Sequence, residues 1–231
     1  MSYGLEAYLE KAESHSRTSA MDLRSLRNLV RQGESSSLEF KLKANHPEKI
    51  IREIVAFANS GGGKLLVGVG DDKSIPGLKF VDEDEYVLVR ALEKFCFPKV
   101  DYELERVHVS DEREILVFTI PPSLKKPHYV QLTNDPLPKA YVRVQDRSVQ
   151  ASKEIKQILR RENDEGVKFS YGEKEQKLFH YLEENKRISV DLFSQIADIS
   201  RKSASHTLVL LVLANVLKVH PDEIVDWYSM A

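Results

Sequence analysis

The stretch between Gly33 and Gly77 restricts the fold more than any other part of the chain. It combines a short strand pattern, an amphipathic helix pattern, a run of glycines and a second apolar strand pattern. Leu38 and Phe40 alternate with charged residues, as expected for a half-buried strand. Pro47 suits the first turn of a helix, where its missing N–H costs nothing. The apolar residues that follow recur at helical spacing and form one stripe: Ile50, Ile51, Ile54, Val55 and Ala58.

Three glycines, Gly61–Gly63, come directly after this helix pattern. Glycine adopts the left-handed conformation cheaply, so the helix is predicted to end there. Leu65–Val69 is a short apolar run typical of a strand buried on both faces. With Lys64, the glycines also suggest a phosphate loop and hence ATP binding. In such loops the strand comes first and the phosphate meets the N-terminus of the following helix, so a glycine helix cap is favoured.

The motifs of this stretch, taken together and in this order, resemble the Schlafen AlbA-like domain family. The resemblance extends to a closing strand at Ala140–Val144 and covers roughly residues 20 to 162. It implies an α+β domain, with a mixed β-sheet and flanking helices, that contacts DNA or RNA. The motifs are Gly33-Glu34, Glu39-Phe40-Lys41, Ala56–Ser60, the glycines Gly61–Gly63 and Gly68–Asp72.

Glu34, Glu39 and Asp71 form a candidate catalytic and metal-binding set. Glu34 precedes one predicted strand and Asp71 follows another, so the carboxylates converge at one end of the sheet if those strands are neighbours. Such a cluster can bind Mg²⁺ or Mn²⁺, which can activate water against a phosphodiester. The resemblance implies that endoribonuclease members of the family cleave RNA with acidic residues at these positions. Asp72 is an alternative to Asp71, and Lys41 is expected to orient a phosphate.

The same residues also have a purely structural interpretation. Glu34 then forms a local cap or pair, Glu39 pairs with a surface lysine, and Asp71 and Asp72 serve only as turn formers. Both interpretations remain open from the sequence, because short motifs often occur without the function.

Several basic residues are candidates for contacts with nucleic acid. The net charge of −2 gives no general attraction to polyanions, so a binding site must be a local basic patch. An ordinary solvated surface of mixed charge is the alternative. The candidates are Lys41, Lys125, Lys126, Arg143, Arg147, Arg201 and Lys202.

Helical periodicity returns in the last part of the chain. Three short helix patterns followed by a small strand pattern are the order of a winged helix-turn-helix. The module contains fewer Lys and Arg than Asp and Glu residues, and phosphate binding needs basic residues. Leu208–Leu213 in its third helix is apolar on several faces. Protein contact or homodimerisation is therefore nearly as well supported as DNA binding.

These patterns predict a nucleic-acid-binding regulator, with a metal-dependent endoribonuclease or a protein-interaction module as alternatives. The 231 residues divide into a flexible arm at 1–20, a Schlafen AlbA-like domain at 21–162, a linker at 163–172 and a winged helix at 173–231. The single cysteine, Cys96, excludes an internal disulfide and is expected to be a buried packing thiol. The N-terminus lacks a signal-peptide pattern, and no apolar run is long enough to span a bilayer. A cytoplasmic protein without membrane contact is expected.

Overall fold

A computed structural model describes residues 21–164 and 166–231. The arm predicted at 1–20 lies outside these described residues. The chain separates into two compact units, one ending at Ser148 and the other beginning at Val149.

The first unit is built around a four-stranded mixed sheet. The strand order is β1-β2-β5-β4, in which β1 and β2 are parallel and the other neighbours are antiparallel. Two short pairs, β3 with β6 and β7 with β8, lie outside this sheet. The mixed α+β architecture predicted from the sequence is confirmed. The elements are α1 (Leu23–Gln32), β1 (Leu38–Lys41), α2 (Pro47–Asn59), β2 (Gly63–Val67), α3 (Val81–Phe95), β3 (Cys96–Phe97), β4 (Glu103–Ser110), β5 (Arg113–Ile120), β6 (Tyr129–Val130), β7 (Tyr141–Val144) and the first half of β8 (Arg147–Gln150), which crosses the boundary after Ser148.

Local chemistry sets where the first helices begin and end. The Asp22 carboxylate accepts a hydrogen bond from the backbone N–H of Ser25 at 2.7 Å and so caps α1. Pro47 is the first residue of α2, as predicted. After α2, Gly62 has a φ of +76°, and a Cβ there would lie 2.6 Å from the carbonyl oxygen of Ile120. Glycine is therefore required at this turn for both conformation and space.

The sheet of the first unit carries apolar layers on both faces. Leu65 and Val67 pack in the layer that contains α2 and α3, whereas Phe40 and Leu66 pack in the layer that contains α1. The prediction that the second strand is buried on both faces is confirmed. Cys96 is a buried free thiol, and its burial raises the pKa to about 12, as expected for a packing residue.

In the second unit, the described residues form four helices and a β-hairpin. The core is formed by side chains that include Leu178, Phe193, Leu208 and Tyr228, and the hydroxyls of Ser152, Ser189 and Ser200 cap three of its helices. β9 and β10 are antiparallel, and an isolated bridge joins Ile188 to Tyr228. The elements are α4 (Lys153–Arg161), α5 (Glu173–Asn185), α6 (Val190–Ala197), α7 (Arg201–Leu213), β9 (Leu217–His220) and β10 (Trp227–Met230).

Helix α4 lies in the second unit, where it packs on α7. The sequence pattern places this helix in the first domain, ahead of the predicted linker. None of the helices that the structure describes is both long and apolar enough to cross a bilayer.

Candidate functional site

Arg143 is the centre of a buried polar network in the first unit. Its guanidinium donates to Glu39 Oε2 at 3.0 Å and to the carbonyl oxygen of Ser35 at 2.9 Å. It also donates to Glu53 Oε2 at 2.6 Å and lies 4.7 Å above the centre of the Phe57 ring. The Arg143 side chain is only 1% exposed. A buried arginine must be paired, because the desolvation cost of an isolated charge is several kcal/mol.

The end of α2 positions this network. The Asn59 side-chain amide donates to the carbonyl oxygens of His128 and Tyr141, both at 2.9 Å. The Asn59 side-chain oxygen accepts the N–H of His128 at 2.7 Å. The Ser60 hydroxyl accepts the backbone N–H of Arg143 at 2.9 Å. These residues therefore attach the helix end to two segments that are distant in sequence.

The glycines that follow α2 allow the close packing around Arg143. A Cβ on Gly63 would lie 2.4 Å from the Phe57 ring, so only glycine lets β2 approach the ring beneath Arg143. Lys64 donates to the hydroxyl of Thr119 at 2.6 Å. The glycines follow a helix and precede a strand, which is the reverse of the order in a phosphate loop. ATP binding remains an untested alternative.

Glu39, a candidate catalytic residue, lies between two cations. It shares one face of β1 with Lys41, because side chains two residues apart in a strand point the same way. Lys41 forms an ion pair with one carboxylate oxygen of Glu39, and Arg143 binds the other. Glu39 is buried, so this double pairing stabilises its negative charge inside the protein.

Glu34 lies on the outer edge of β1 because the chain folds back there. The N–H of Ser35 donates to the carbonyl of Leu38 at 2.9 Å, and Glu34 Oε1 accepts the N–H of Phe40 at 2.9 Å. The pKa of Glu34 is raised, chiefly by desolvation and further by the negative charges of Glu39 and Asp71. The Phe40 N–H and the charge of Lys41 oppose this rise.

Glu39 and Asp71 are thus both within electrostatic range of Glu34. Asp71 is exposed after the end of β2. Asp72 accepts two hydrogen bonds from Ser74, from its N–H at 3.0 Å and its hydroxyl at 2.6 Å, and these lower the pKa of Asp72. In residues 21–164 and 166–231, no group of three His, Cys, Asp or Glu side chains is arranged to hold a metal ion. The predicted Mg²⁺ or Mn²⁺ site remains a prediction.

The predicted basic residues of the first unit fall into two classes. Arg143 is buried, so its guanidinium does not face the solvent. Lys125 and Arg147 are exposed, and Lys126 Nζ donates to the carbonyl oxygen of Ser60 at 3.2 Å.

The predicted basic residues of the second unit lie at the start of α7, and both are exposed. Arg201 donates to Asp191 Oδ1 at 2.7 Å, and its guanidinium is 3.9 Å from the Glu154 carboxylate. These acidic neighbours offset much of the positive charge of Arg201. Lys202 follows Arg201 directly in the chain.

Sequence reasoning did not predict the buried network, in which Glu53, Asn59 and His128 take part. His128 is only 1% exposed. Its ring nitrogens lie 2.8 Å from the carbonyl oxygen of Pro98 and 2.7 Å from the hydroxyl of Ser123. The available signal was Asn59, a polar residue that falls on the buried side of α2.

The family model described as Schlafen, AlbA_2 matches residues 34–152, slightly more than half of the 231 residues. The matched range contains the whole Arg143 network. No curated protein matches the chain by sequence.

Two solved structures share low sequence identity with the chain. The first is the N-terminal domain of a RecG-related protein from Nitrosomonas europaea, with 24% identity, a TM-score of 0.38, and coverage of 51% of this chain and 87% of that one. The second is the DIP2311 protein from Corynebacterium diphtheriae, with 21% identity and a TM-score of 0.39. Coverage in that case is 57% of this chain and only 28% of the other.

Proposed function

The chain belongs to the Schlafen AlbA_2 family, and on that premise we propose that it binds nucleic acid through its first unit. The proposed contact surface is a basic rim formed by Lys125, Lys126 and Arg147. The observation that carries the proposal is the placement of Ser60. Its carbonyl oxygen accepts a hydrogen bond from Lys126 Nζ, and its hydroxyl accepts one from the backbone N–H of Arg143.

The hairpin that follows Arg143 extends the basic rim to Arg147. Arg143 Nη1 donates to the hydroxyl of Ser148 at 3.1 Å, and Ser148 is the neighbour of Arg147. One chain of hydrogen bonds therefore links the loop of Lys125 and Lys126 to the strand of Arg147. In this proposal Arg143 does not contact phosphate. It stabilises the basic rim through its partly buried hydrogen bonds to Ser60 and Ser148.

A local basic surface is consistent with the slightly negative net charge of the protein. The net charge of −2 provides no general attraction, so affinity has to come from a few clustered cations. Each phosphate contact by Lys or Arg releases counterions, which makes binding weaker as the salt concentration rises.

The test is the salt dependence of binding to mixed-sequence DNA and RNA. A triple variant with Lys125, Lys126 and Arg147 changed to Ala is expected to bind more weakly. The slope of log K against log salt should fall in magnitude by roughly 2–3 on duplex DNA, at about 0.9 per lost contact. A matched triple variant removes the exposed charges of Arg24, Arg27 and Lys79 instead and should retain the slope. Absence of binding by the wild type at about 50 mM salt, or equal slopes in both variants, would contradict the proposal.

A second candidate function is a metal-dependent endoribonuclease that uses Glu34, Glu39 and Asp71. The observation that favours it is the raised pKa of Glu34, which is due first to desolvation and then to the negative charges of Glu39 and Asp71. A divalent cation would relieve that repulsion and supply the Lewis acid for phosphodiester cleavage. Lys41 would then move from Glu39 to a substrate phosphate.

The nuclease candidate is tested by incubating structured RNA with Mn²⁺. Asp71→Asn is the informative variant, since Asp71 is exposed and its loss leaves the Arg143 network intact. Cleavage by the wild type, lost in Asp71→Asn and retained in Asp111→Asn, would support the candidate. The wild type should also unfold at a higher temperature with Mn²⁺. Absence of cleavage together with an unchanged melting temperature would eliminate it.

For the second unit we propose a winged helix-turn-helix that contacts protein rather than DNA. The order α5, α6, α7, β9 and β10 supports the winged helix, with the Ile188–Tyr228 bridge as the third strand contact. Helix α4 covers part of α7, where the buried hydroxyl of Ser205 donates to Glu154 at 2.6 Å.

The hairpin loop at 221–226 argues against phosphate contact by the second unit. It contains Asp222, Glu223 and Asp226 and no basic residue, while Ile224 at its tip is 90% exposed. Ile224→Asp is expected to reduce self-association, measured by light scattering of the full chain. A wild type that stays monomeric at high concentration would remove the homodimer, and DNA binding lost on Lys202→Ala would overturn the assignment to protein contact.

A further inference from the structure

The loop Pro121–His128, called the tip loop below, carries a leucine that is 85% exposed, Leu124. Single exposed apolar residues are common on protein surfaces and need no explanation by themselves. Two further features distinguish this one: the loop that carries it is firmly attached, and its neighbours are cationic.

Both ends of the tip loop are attached to the end of α2. The N–H of Ser123 donates to the carbonyl oxygen of Ala58 at 3.0 Å. The N–H of His128 donates to the side-chain oxygen of Asn59 at 2.7 Å. Between these points, the Ser123 hydroxyl lies 2.7 Å from His128 Nε2 and accepts the N–H of Lys125 at 3.0 Å. The loop is therefore pre-organised, and Leu124 projects from a fixed base.

The charge of the tip loop is uniformly positive. Lys125 and Lys126 directly follow Leu124, and the loop contains no Asp or Glu. Proteins that kink nucleic acid combine these features: an apolar side chain enters between two bases while cations bind the flanking phosphates. Pre-organisation favours such contacts because little conformational entropy is lost on binding.

We infer that Leu124 is a wedge that inserts at a deformable or unpaired base of the bound nucleic acid. The inference rests on the proposed nucleic-acid function and adds its substrate class: duplexes with an unpaired base or a flexible step. Such sites cost less to unstack than continuous, well-stacked duplex. The basic rim supplies affinity without regard to sequence, and Leu124 selects where the duplex can open.

The test measures binding of the full chain to two duplexes that differ by one unpaired base, with 2-aminopurine next to that base as a fluorescent reporter of unstacking. The wild type is expected to prefer the bulged duplex and to raise the 2-aminopurine signal. Leu124→Ala should lose about tenfold affinity for the bulged duplex and less than about twofold for the paired one. Its salt slope should be unchanged, because leucine contacts no phosphate.

Leu137→Ala is the matched control. Leu137 is 71% exposed on the loop between β6 and β7, and its substitution should alter neither affinity nor fluorescence. Circular dichroism verifies that both variants remain folded.

The outcomes separate the wedge from the proposed function. If the Lys125, Lys126 and Arg147 triple variant loses salt-dependent binding but Leu124→Ala matches the wild type on both duplexes, the wedge is wrong and the basic rim stands. If the wild type binds neither duplex, the proposed function fails with it. The last measurement is binding of the full chain to vesicles of phosphatidylserine and phosphatidylcholine. Vesicle binding that Leu124→Ala abolishes, with nucleic-acid binding unchanged, would overturn the wedge in favour of a membrane contact.

Discussion

Arg143 and Glu39 are 104 residues apart in the chain, yet Arg143 Nη2 donates to Glu39 Oε2 at 3.0 Å. Their side chains are 1% and 7% exposed. This pair joins β1 to β7 inside the first unit, and Glu53 and Phe57 also contact the Arg143 guanidinium. A residue predicted to bind nucleic acid and a residue predicted to catalyse are thus partners in one buried ion pair.

Replacement of Arg143 by Met is expected to destabilise the first unit strongly. It leaves the carboxylates of Glu39 and Glu53 without their shared cation in a desolvated site, at a cost of about 3–5 kcal/mol. Urea denaturation measures the change in unfolding free energy. The control, Arg147→Met, alters an exposed side chain and should shift stability by less than about 0.5 kcal/mol. A loss below about 1 kcal/mol in Arg143→Met would show that the network contributes little.

Asn59→Ala is expected to cost about 3 kcal/mol, because it leaves buried backbone groups of His128 and Tyr141 without their hydrogen-bond partner. Asn28→Ala changes an exposed asparagine of α1 and should be close to neutral. The two variants are compared by thermal and urea denaturation. Equal stability of both would mean that water or a local shift replaces the Asn59 bonds.

Two neighbouring glycines are predicted to respond differently to the same substitution. A Cβ on Gly63 would lie 2.4 Å from the Phe57 ring, whereas one on Gly61 meets no atom within 4 Å. Gly63→Ala should therefore destabilise by about 1–3 kcal/mol or more through overpacking. Gly61→Ala should remain within about 1 kcal/mol of the wild type. Chemical denaturation distinguishes them, and a neutral Gly63→Ala would argue against the close approach of β2 to Phe57.

The raised pKa of Glu34 predicts a pH-dependent effect of Glu34→Gln. A carboxyl whose pKa is higher in the folded than in the unfolded state binds its proton more tightly when folded. Stability from this group is therefore present at low pH and is lost as pH rises through the folded pKa. Glutamine keeps an oxygen for the N–H of Phe40 but cannot ionise.

Glu34→Gln should consequently be more stable than the wild type near pH 7, and the difference should vanish at about pH 3. Urea denaturation at both pH values measures it. Glu112→Gln, in an exposed turn, serves as the control. If Glu34→Gln is the less stable protein near pH 7, a partner favours the charge of Glu34 more strongly than desolvation and the charges of Glu39 and Asp71 oppose it.

The elements of the first unit could largely be predicted from local signals. Pro47 begins α2, the glycines end it, and Asp22 caps α1, because caps and breakers act on residues within one turn. The alternation around Leu38 and Phe40 correctly predicted the strand β1, but Glu39 on its other face is buried rather than exposed. These effects depend only on residues close together in the chain, so they can be predicted from the sequence alone.

The burial of Arg143 could not be predicted in this way. In Tyr-Val-Arg-Val a charged residue between apolar ones indicates an exposed position on a half-buried strand. The guanidinium is instead enclosed, since two carboxylates and an aromatic ring from other elements compensate its desolvation. The same holds for Glu34, whose pKa is raised chiefly by desolvation and further by the charges of Glu39 and Asp71, which the tertiary structure brings near it.

The sequence by itself determined the secondary structure, the mixed architecture and the family motifs, because these follow from short-range periodicity, turn chemistry and recognisable spacing. Only the tertiary structure decided which charges face water and which neutralise one another inside the protein. Whether a charge is exposed or buried depends on its desolvation and on partners that can lie more than a hundred residues away. Local sequence patterns give information on neither.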